Sequence, residues 1–366
     1  MHKDVVQIPM AIAREDDFQV KIVTATNSDV SELESLDSIQ LVRVATTASK
    51  FLQFIAIIAY LLKNARLIDV LNLYHSGKPT MIYVFIYKFI NQKGFCYIKL
   101  DLDHVVAVKN ESLFEKRKTI PFIFYFLFSE KFKSDVNLFS IESIESLMLL
   151  RQKDKIKEDK CILVRNGVSD IEIAVGALKE ATKEKLIVQV GRIGTYQKNT
   201  ELFLDAIPCI FGSEWRAKIV GPISKDFENI ADKFFRKNPL ARAHVEFVGS
   251  VNSREEYYKL LASSRIFCQT SRWEGTPLVI GEAAVCGNLI ISTDVSGLEM
   301  VRDGRIPGLV VCQDDVKSFR EALEKSLNEV ESMPTFNCIN TELCVAFSWN
   351  VIVNSLLIIF RKHFDR

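Results

Sequence analysis

Two carboxylates, Glu274 and Glu282, stand eight positions apart in SRWEGTPLVIGEAAVCG (271–287), in otherwise small or apolar company. Charged side chains are seldom buried without a partner, so acids in such a run need a polar object to hold. Thr276 suits an N-cap and Pro277 a first helical position, so the spacing predicts a helix from about residue 276 with Glu274 in the loop before it. The start of a helix offers free N–H groups and a positive dipole end, a seat for a diphosphate. Glu282 lies five residues beyond Pro277, about 7.5 Å along the axis, within reach of the ribose diol of the same nucleotide. A carboxylate accepts from both hydroxyls at once, and such charge-assisted bonds are the stronger kind. Glu274 would face the other side of the phosphates, toward a transferred group. In VGRIGTYQKN (190–199) Arg192 and Lys198 follow an apolar strand, where they could neutralise the same diphosphate, both in binding and as a leaving group departs. Taken singly, these charges would be ordinary surface residues; their company favours a site.

The elements that must position them follow one pattern. Short apolar runs rich in β-branched residues alternate with helical stretches almost from end to end, as in βαβ units on parallel sheets. The first half offers strands near 18–25, 39–45, 68–75, 94–101 and 136–143, and the second near 185–192, 216–222, 244–250, 265–271, 288–294 and 308–312. Between them, RQKDKIKEDK (151–160) and the residues after it read as a domain exit. The expected division is a first domain over 1–165, a linker over 166–184, a second domain over 185–345, and a last helix in 346–366 packing back toward the first domain. Two doubly wound domains facing each other leave a cleft at the carboxyl ends of their strands, where ligands bind in such sheets.

The totals agree. A chain of 366 residues exceeds what one core usually supports. Its 47 basic and 46 acidic residues leave a net charge of +1, so no global field draws nucleic acid or an anionic bilayer, and any such contact must be local. Eight cysteines lie scattered in apolar runs without a CxxC pair or zinc spacing, which reads as reduced core thiols in a cytoplasmic protein. The N-terminus lacks the apolar core of a signal peptide, and no apolar run reaches the roughly 20 residues of a spanning helix.

Several spaced motifs resemble the donor half of retaining GT-B glycosyltransferases of family 4. They are NGV (166–168), VGRIGTYQKNTELFLDA (190–206), IVGP (219–222), FVGSV (247–251) and SRWEGTPLVIGEAAVCGNLIISTDVSGLEMVRDG (271–304). Glu274 and Glu282 fall on that family's E-x7-E element. The resemblance implies an α/β GT-B fold of two Rossmann-like domains, a nucleotide-sugar donor, retention of anomeric configuration and no obligatory metal or other cofactor. By the same resemblance Glu282 holds the ribose, and Arg192 and Lys198 hold the diphosphate. Gly275, Thr276, Pro277 and Leu278 meet the phosphates through the backbone, Glu274 meets the donor sugar, and Gly191 and Asn166 join the nucleotide-binding set. In the first half, KDVVQIPMAIARE resembles the first helix of an acceptor domain and NLYHS a strand end where members often carry a histidine, here His75. Subsets of the family that make capsule or O-antigen glycans come closest. The family opens with a strand and a Gly-rich loop before that helix; here the chain starts at the helix, so a first strand is expected to be missing and activity with it put in question.

Other patterns are weaker. His75 is as well explained by packing as by an acceptor role. DLD (101–103) looks like a metal-binding DxD, yet it ends a strand far from the donor motifs, so Asp101 and Asp103 are expected at the cleft edge without metal. FEKRKTIPFIFYFLFSEKFK (114–133) flanks an aromatic run with cations and suits either a buried helix or a peripheral contact with the inner face of a membrane. The expected partners are a nucleotide sugar and a lipid-linked or oligosaccharide acceptor, with no nucleic acid. Two rivals stay open: a nucleotide-sugar 2-epimerase of the same architecture, and a catalytically impaired nucleotide-binding partner protein.

Overall fold

A computed structural model describes residues 4–25, 38–101, 122–332 and 341–364. The chain divides into two compact units, Met1–Asn166 with Trp349–Arg366, and Gly167–Ser348. Asp103, Lys116, Arg117, Lys118 and Cys338 lie outside the described residues, as do residues 114–121 of the 114–133 segment, whose remainder is in helix Phe122–Asp135.

In the first unit β1 (Val20–Thr24) pairs in parallel with β2 (Ile39–Arg43). A parallel four-stranded sheet runs β3 (Val70–Tyr74), β4 (Phe95–Leu100), β5 (Leu138–Ile141) and β6 (Cys161–Leu163), in that order. All six residues of β4 are buried, as expected of a parallel strand covered on both faces. One of them is a lysine. Lys99 is fully buried and donates from Nζ to Glu142 Oε1 at 3.0 Å and to the Val164 carbonyl at 3.1 Å, joining β4 to the ends of β5 and β6. Helix Trp349–His363 belongs to this unit; Val353, Leu356, Leu357 and Phe360 pack with Ile8 and Ile12 of helix Asp4–Ile12 and with Phe95 and Tyr97.

The second unit is one parallel sheet of six strands: β7 (Leu186–Val190), β8 (Arg216–Val220), β9 (Val245–Gly249), β10 (Ile266–Gln269), β11 (Leu289–Thr293) and β12 (Gly308–Val311). Their spatial order is β12-β11-β10-β7-β8-β9. The first strand of the unit therefore lies beside the fourth, and the order reverses between β7 and β10. In doubly wound sheets ligands bind outside the carboxyl ends of the strands at that reversal.

Glycines let the strand ends approach closely there. A Cβ on Gly221, whose φ is +136°, would overlap the Gly191 carbonyl oxygen, so any side chain at 221 would collide with the loop after β7.

Two expectations need correction. The stretch 166–184, read as a linker, carries helix Ile171–Glu180, whose Ala174, Ala177 and Leu178 are buried in the second unit's core beside Tyr258 and Leu261. Its small residues and charged flanks gave it the composition of a linker, but its apolar face packs. The helix expected from residue 276 begins at Leu278, with Pro277 as an extended N-cap (φ −70°, ψ 111°) and no side-chain cap from Thr276. Glu282 is thus in the second half of an eight-residue helix, Leu278–Val285.

Candidate functional site

The loops after β7 and β10, on either side of the strand-order reversal, bring Arg192, Lys198 and Glu274 together. Lys198 donates from Nζ to Glu274 Oε1 at 2.5 Å, and Ser271 Oγ donates to the same oxygen at 2.6 Å. Gln197 bridges the loops: its Nε2 donates to the Trp273 carbonyl at 3.0 Å and reaches Glu274 Oε2 at 3.4 Å. Its Oε1 accepts from Arg192 Nη2 at 2.6 Å. The Arg272 backbone N–H closes the junction onto the Gln197 carbonyl at 2.8 Å. One carboxylate thus meets a lysine directly and an arginine through an amide. The side chains of Lys198 and Glu274 are only 18% and 12% exposed, so solvent screens the pair less than an ordinary surface ion pair.

Beside this pair lies a small cavity with room for about one water molecule, lined by Gln189, Gly191, Lys198, Gln269, Thr270 and Ser271. Gln189 Nε2 donates to Thr270 Oγ1 at 2.7 Å, and that hydroxyl donates to the Lys198 carbonyl at 2.8 Å. Gln189 Oε1 and both polar atoms of the Gln269 amide are buried without a hydrogen-bond partner among the described residues. Such groups normally find a partner, so the cavity is suited to a water that both donates and accepts.

Glu282 is held separately. It is 6% exposed, and both its oxygens are engaged from helix Arg254–Ser263. Arg254 Nη2 donates to Oε1 at 2.7 Å and the Tyr257 hydroxyl to Oε2 at 2.6 Å. Burial lowers the Arg254 pKa, but Glu282, Tyr258 and Tyr257 together raise it by more, and the net shift is upward. Burial and the same carboxylate push the Tyr257 phenol well above its ordinary range. At neutral pH both therefore donate to Glu282. A carboxylate oxygen accepts more than one hydrogen bond, so this grip fixes the group and leaves lone pairs for hydroxyls.

Of the residues singled out in the sequence, Glu274, Glu282, Arg192, Lys198, Gly191, Gly275, Thr276, Pro277 and Leu278 belong to the second unit. Asn166, His75 and Asp101 belong to the first. Asn166 is buried, whereas His75, at φ +63° just past β3, and Asp101, just past β4, are exposed. Sequence reasoning did not pick out Gln197, Ser271, Arg254, Tyr257, Gln189 or Gln269. Only Gln189 carried a signal there, an amide inside the apolar run LIVQV.

Solved structures align over almost the whole chain. HepE of Anabaena in complex with UDP-glucose superposes with a TM-score of 0.69 at 13% identity, covering 98% of this chain and 95% of that one. The chain has the GT-B fold. Within that fold, residues 184–329, which hold all six strands of the second unit's sheet, match the family described as Glycosyl transferases group 1. The chain is 30% identical over 148 residues to the lipopolysaccharide core biosynthesis mannosyltransferase LpsB of Rhizobium meliloti, covering 38% of this chain and 40% of that one. It is 26% identical over 245 residues to the UDP-Gal:alpha-D-GlcNAc-diphosphoundecaprenol alpha-1,3-galactosyltransferase of Escherichia coli, covering 62% and 60%. The match thus spans three-fifths or less of these relatives' own length. Among the described residues of this GT-B chain, no helix is long and apolar enough to cross a membrane.

Proposed function

We propose that the chain is a retaining glycosyltransferase of family 4 that moves a sugar from a nucleoside diphosphate to a lipid-linked or polysaccharide acceptor of the cell envelope, of the capsule or O-antigen kind. The observation that carries this reading is the Lys198–Glu274 pair, gathered with Arg192 at the strand-order reversal of a unit that matches the group 1 glycosyl transferases. The relatives named above act in lipopolysaccharide core synthesis and on a diphosphoundecaprenol-linked sugar, which supports an acceptor of that class.

In this reading the donor's diphosphate takes Lys198 and Arg192 as its counter-cations. Glu274, released from Lys198, turns to the hydroxyls of the sugar, and the ribose diol donates to Glu282, which Arg254 and Tyr257 hold in place. Charge that develops on the departing diphosphate is stabilised by the same cations, the largest lever available to such a site. The acceptor hydroxyl attacks the anomeric carbon from the face the diphosphate leaves, the C–O bond to the phosphate breaks, and the hydroxyl proton passes to the departing phosphate oxygen. The reaction as proposed uses no metal ion. His75 and Asp101 are proposed on the acceptor side, and Asn166 with Gly191 and the 275–278 backbone on the nucleotide side. The protein is proposed to work in the cytoplasm, in peripheral contact with the membrane.

The test is turnover of nucleoside-diphosphate sugars with and without a polyprenyl-diphosphate-linked sugar acceptor, with the anomeric configuration of the product read by NMR. The proposal expects acceptor-dependent release of nucleoside diphosphate and a retained anomer. Interconversion of free nucleotide sugars without acceptor would assign the chain to the 2-epimerases, and an inverted product would overturn retention.

A further inference from the structure

Gln197 stands between the two charges on which the proposed transfer depends. It is half-buried in the loop after β7, next in the chain to Lys198, and its side chain reaches across to the loop after β10. Its Nε2 donates to the Trp273 carbonyl at 3.0 Å and faces Glu274 Oε2 at 3.4 Å, while its Oε1 accepts from Arg192 Nη2 at 2.6 Å. These partners fix the orientation of the amide, because the flipped group would set its NH2 against a guanidinium and its oxygen against a carbonyl and a carboxylate. A carboxamide can accept from a cation at one end and donate twice at the other. An ionised carboxylate has no proton to donate, and a methionine has no N–H or O–H at all.

This bridge survives an exchange of ion-pair partners. A diphosphate that takes Lys198 leaves Glu274 with two donors, Gln197 Nε2 on Oε2 and Ser271 Oγ on Oε1 at 2.6 Å. Arg192 spends one N–H on Gln197 and keeps others for a phosphate. The amide can therefore hold the cation and the carboxylate at the same time, with the diphosphate on one and sugar hydroxyls on the other. Their separation sets where the anomeric carbon lies, and small displacements of reacting groups cost rate steeply. The charged groups around the amide are Arg192, Lys198 and Glu274. The guanidinium of Arg272, on the facing loop, is turned to Asp314 Oδ1 at 2.9 Å and lies over the Tyr196 ring.

We infer that Gln197 is a positioning residue of the transfer reaction, a neutral bridge that holds Arg192 and Glu274 at a fixed separation while Lys198 changes partners. The inference rests on the glycosyltransferase reading of the site.

The experiment measures kcat and KM of acceptor-dependent transfer across neutral and mildly acidic pH for wild type, Gln197→Met and Gln197→Glu, using the nucleoside-diphosphate sugar that wild type turns over. In Gln197→Met, kcat is expected to fall about ten- to a hundredfold, the size of a lost hydrogen bond to a charged group. Its ratio to wild type should stay constant with pH, and KM for the donor should change little. In Gln197→Glu the new carboxyl faces the Trp273 carbonyl and Glu274, so it keeps its proton to a higher pH than an ordinary glutamate even with Arg192 on its other oxygen. Protonated, it can accept from Arg192 and donate to Glu274 as the amide does, so its rate relative to wild type should rise as pH falls. A role in folding alone would lower the melting temperature without a pH-dependent ratio, and Gln197→Glu keeps the test decisive if Gln197→Met melts early. Wild-type kcat in Gln197→Met, a flat ratio in Gln197→Glu, or a loss confined to KM would overturn the inference. If wild type turns over no nucleotide sugar and is not stabilised by UDP, GDP, ADP or dTDP, the donor-site reading fails and takes the inference with it. Wild-type turnover with unaffected variants sinks the inference alone.

Discussion

Each unit carries a lysine–glutamate pair at the carboxyl ends of parallel strands, and the two pairs do different things. Lys99 and Glu142 of the first unit are 0% and 6% exposed at the side chain, and the lysine spends its donors on the carboxylate and on a backbone carbonyl. Lys198 and Glu274 of the second unit sit on loops and are 18% and 12% exposed, and Lys198 lines a small cavity with unpartnered amide atoms. The first pair is sealed and ties three strands together. The second can exchange one anionic partner for another. What separates a structural pair from a binding pair is therefore the surroundings: whether the partners belong to the packed strands or to loops a ligand can enter.

The contrast breaks most sharply at Lys99. Lys99→Ala strands a buried carboxylate and should cost about 3–5 kcal/mol in denaturant unfolding, while Lys99→Met with Glu142→Leu should recover much of it. An undiminished midpoint in the single variant would remove the distinction. Next in size is Lys183, a half-buried lysine of the second unit that donates to the Ser264 and Cys286 carbonyls, both at 2.7 Å. Burial pushes its amine down to about 8 from 10.5. The folded chain then bears the cost of the charged form below pH 8. As pH rises from about 8 to 10.5 the unfolded chain binds more protons, so stability should increase by roughly 1–3 kcal/mol relative to Lys183→Met. A pH-independent difference between the two proteins would refute it.

Smaller still is Tyr257→Phe, which removes one of the two donors to Glu282 and should cost about 1–2 kcal/mol while weakening nucleotide binding. Lys198→Ala sharpens the comparison from the other side: stability should move by no more than about 1 kcal/mol, yet turnover should fall about 10²–10³-fold. A large loss of stability there would make the second pair structural as well.

The sheets were legible because strands buried on both faces read as unbroken apolar runs, as in LIVQV and LIIST. Cys161–Leu163 escaped because three residues after a charged stretch carry no period, and its pairing with β5 exists only in space. Helix Ile171–Glu180 escaped because small residues look like a linker until something packs on them. Glu274, Arg192 and Lys198 stood out because strand-end loops of such sheets are where charges gather. Arg254 and Tyr257 did not, since their pairing with Glu282 across 28 and 25 residues is set by helix packing and by no motif.

The most direct test of the donor site is a thermal-shift series with UDP, GDP, ADP and dTDP on wild type, Glu282→Ala and Glu282→Gln. A ligand at 100 times its dissociation constant adds about 2.7 kcal/mol to the stability of a protein that binds it only when folded. The site described predicts that one of these nucleotides raises the melting temperature of the wild type and that both substitutions lose most of the shift. No shift with any nucleotide in folded wild type, or a full shift in both variants, would contradict it.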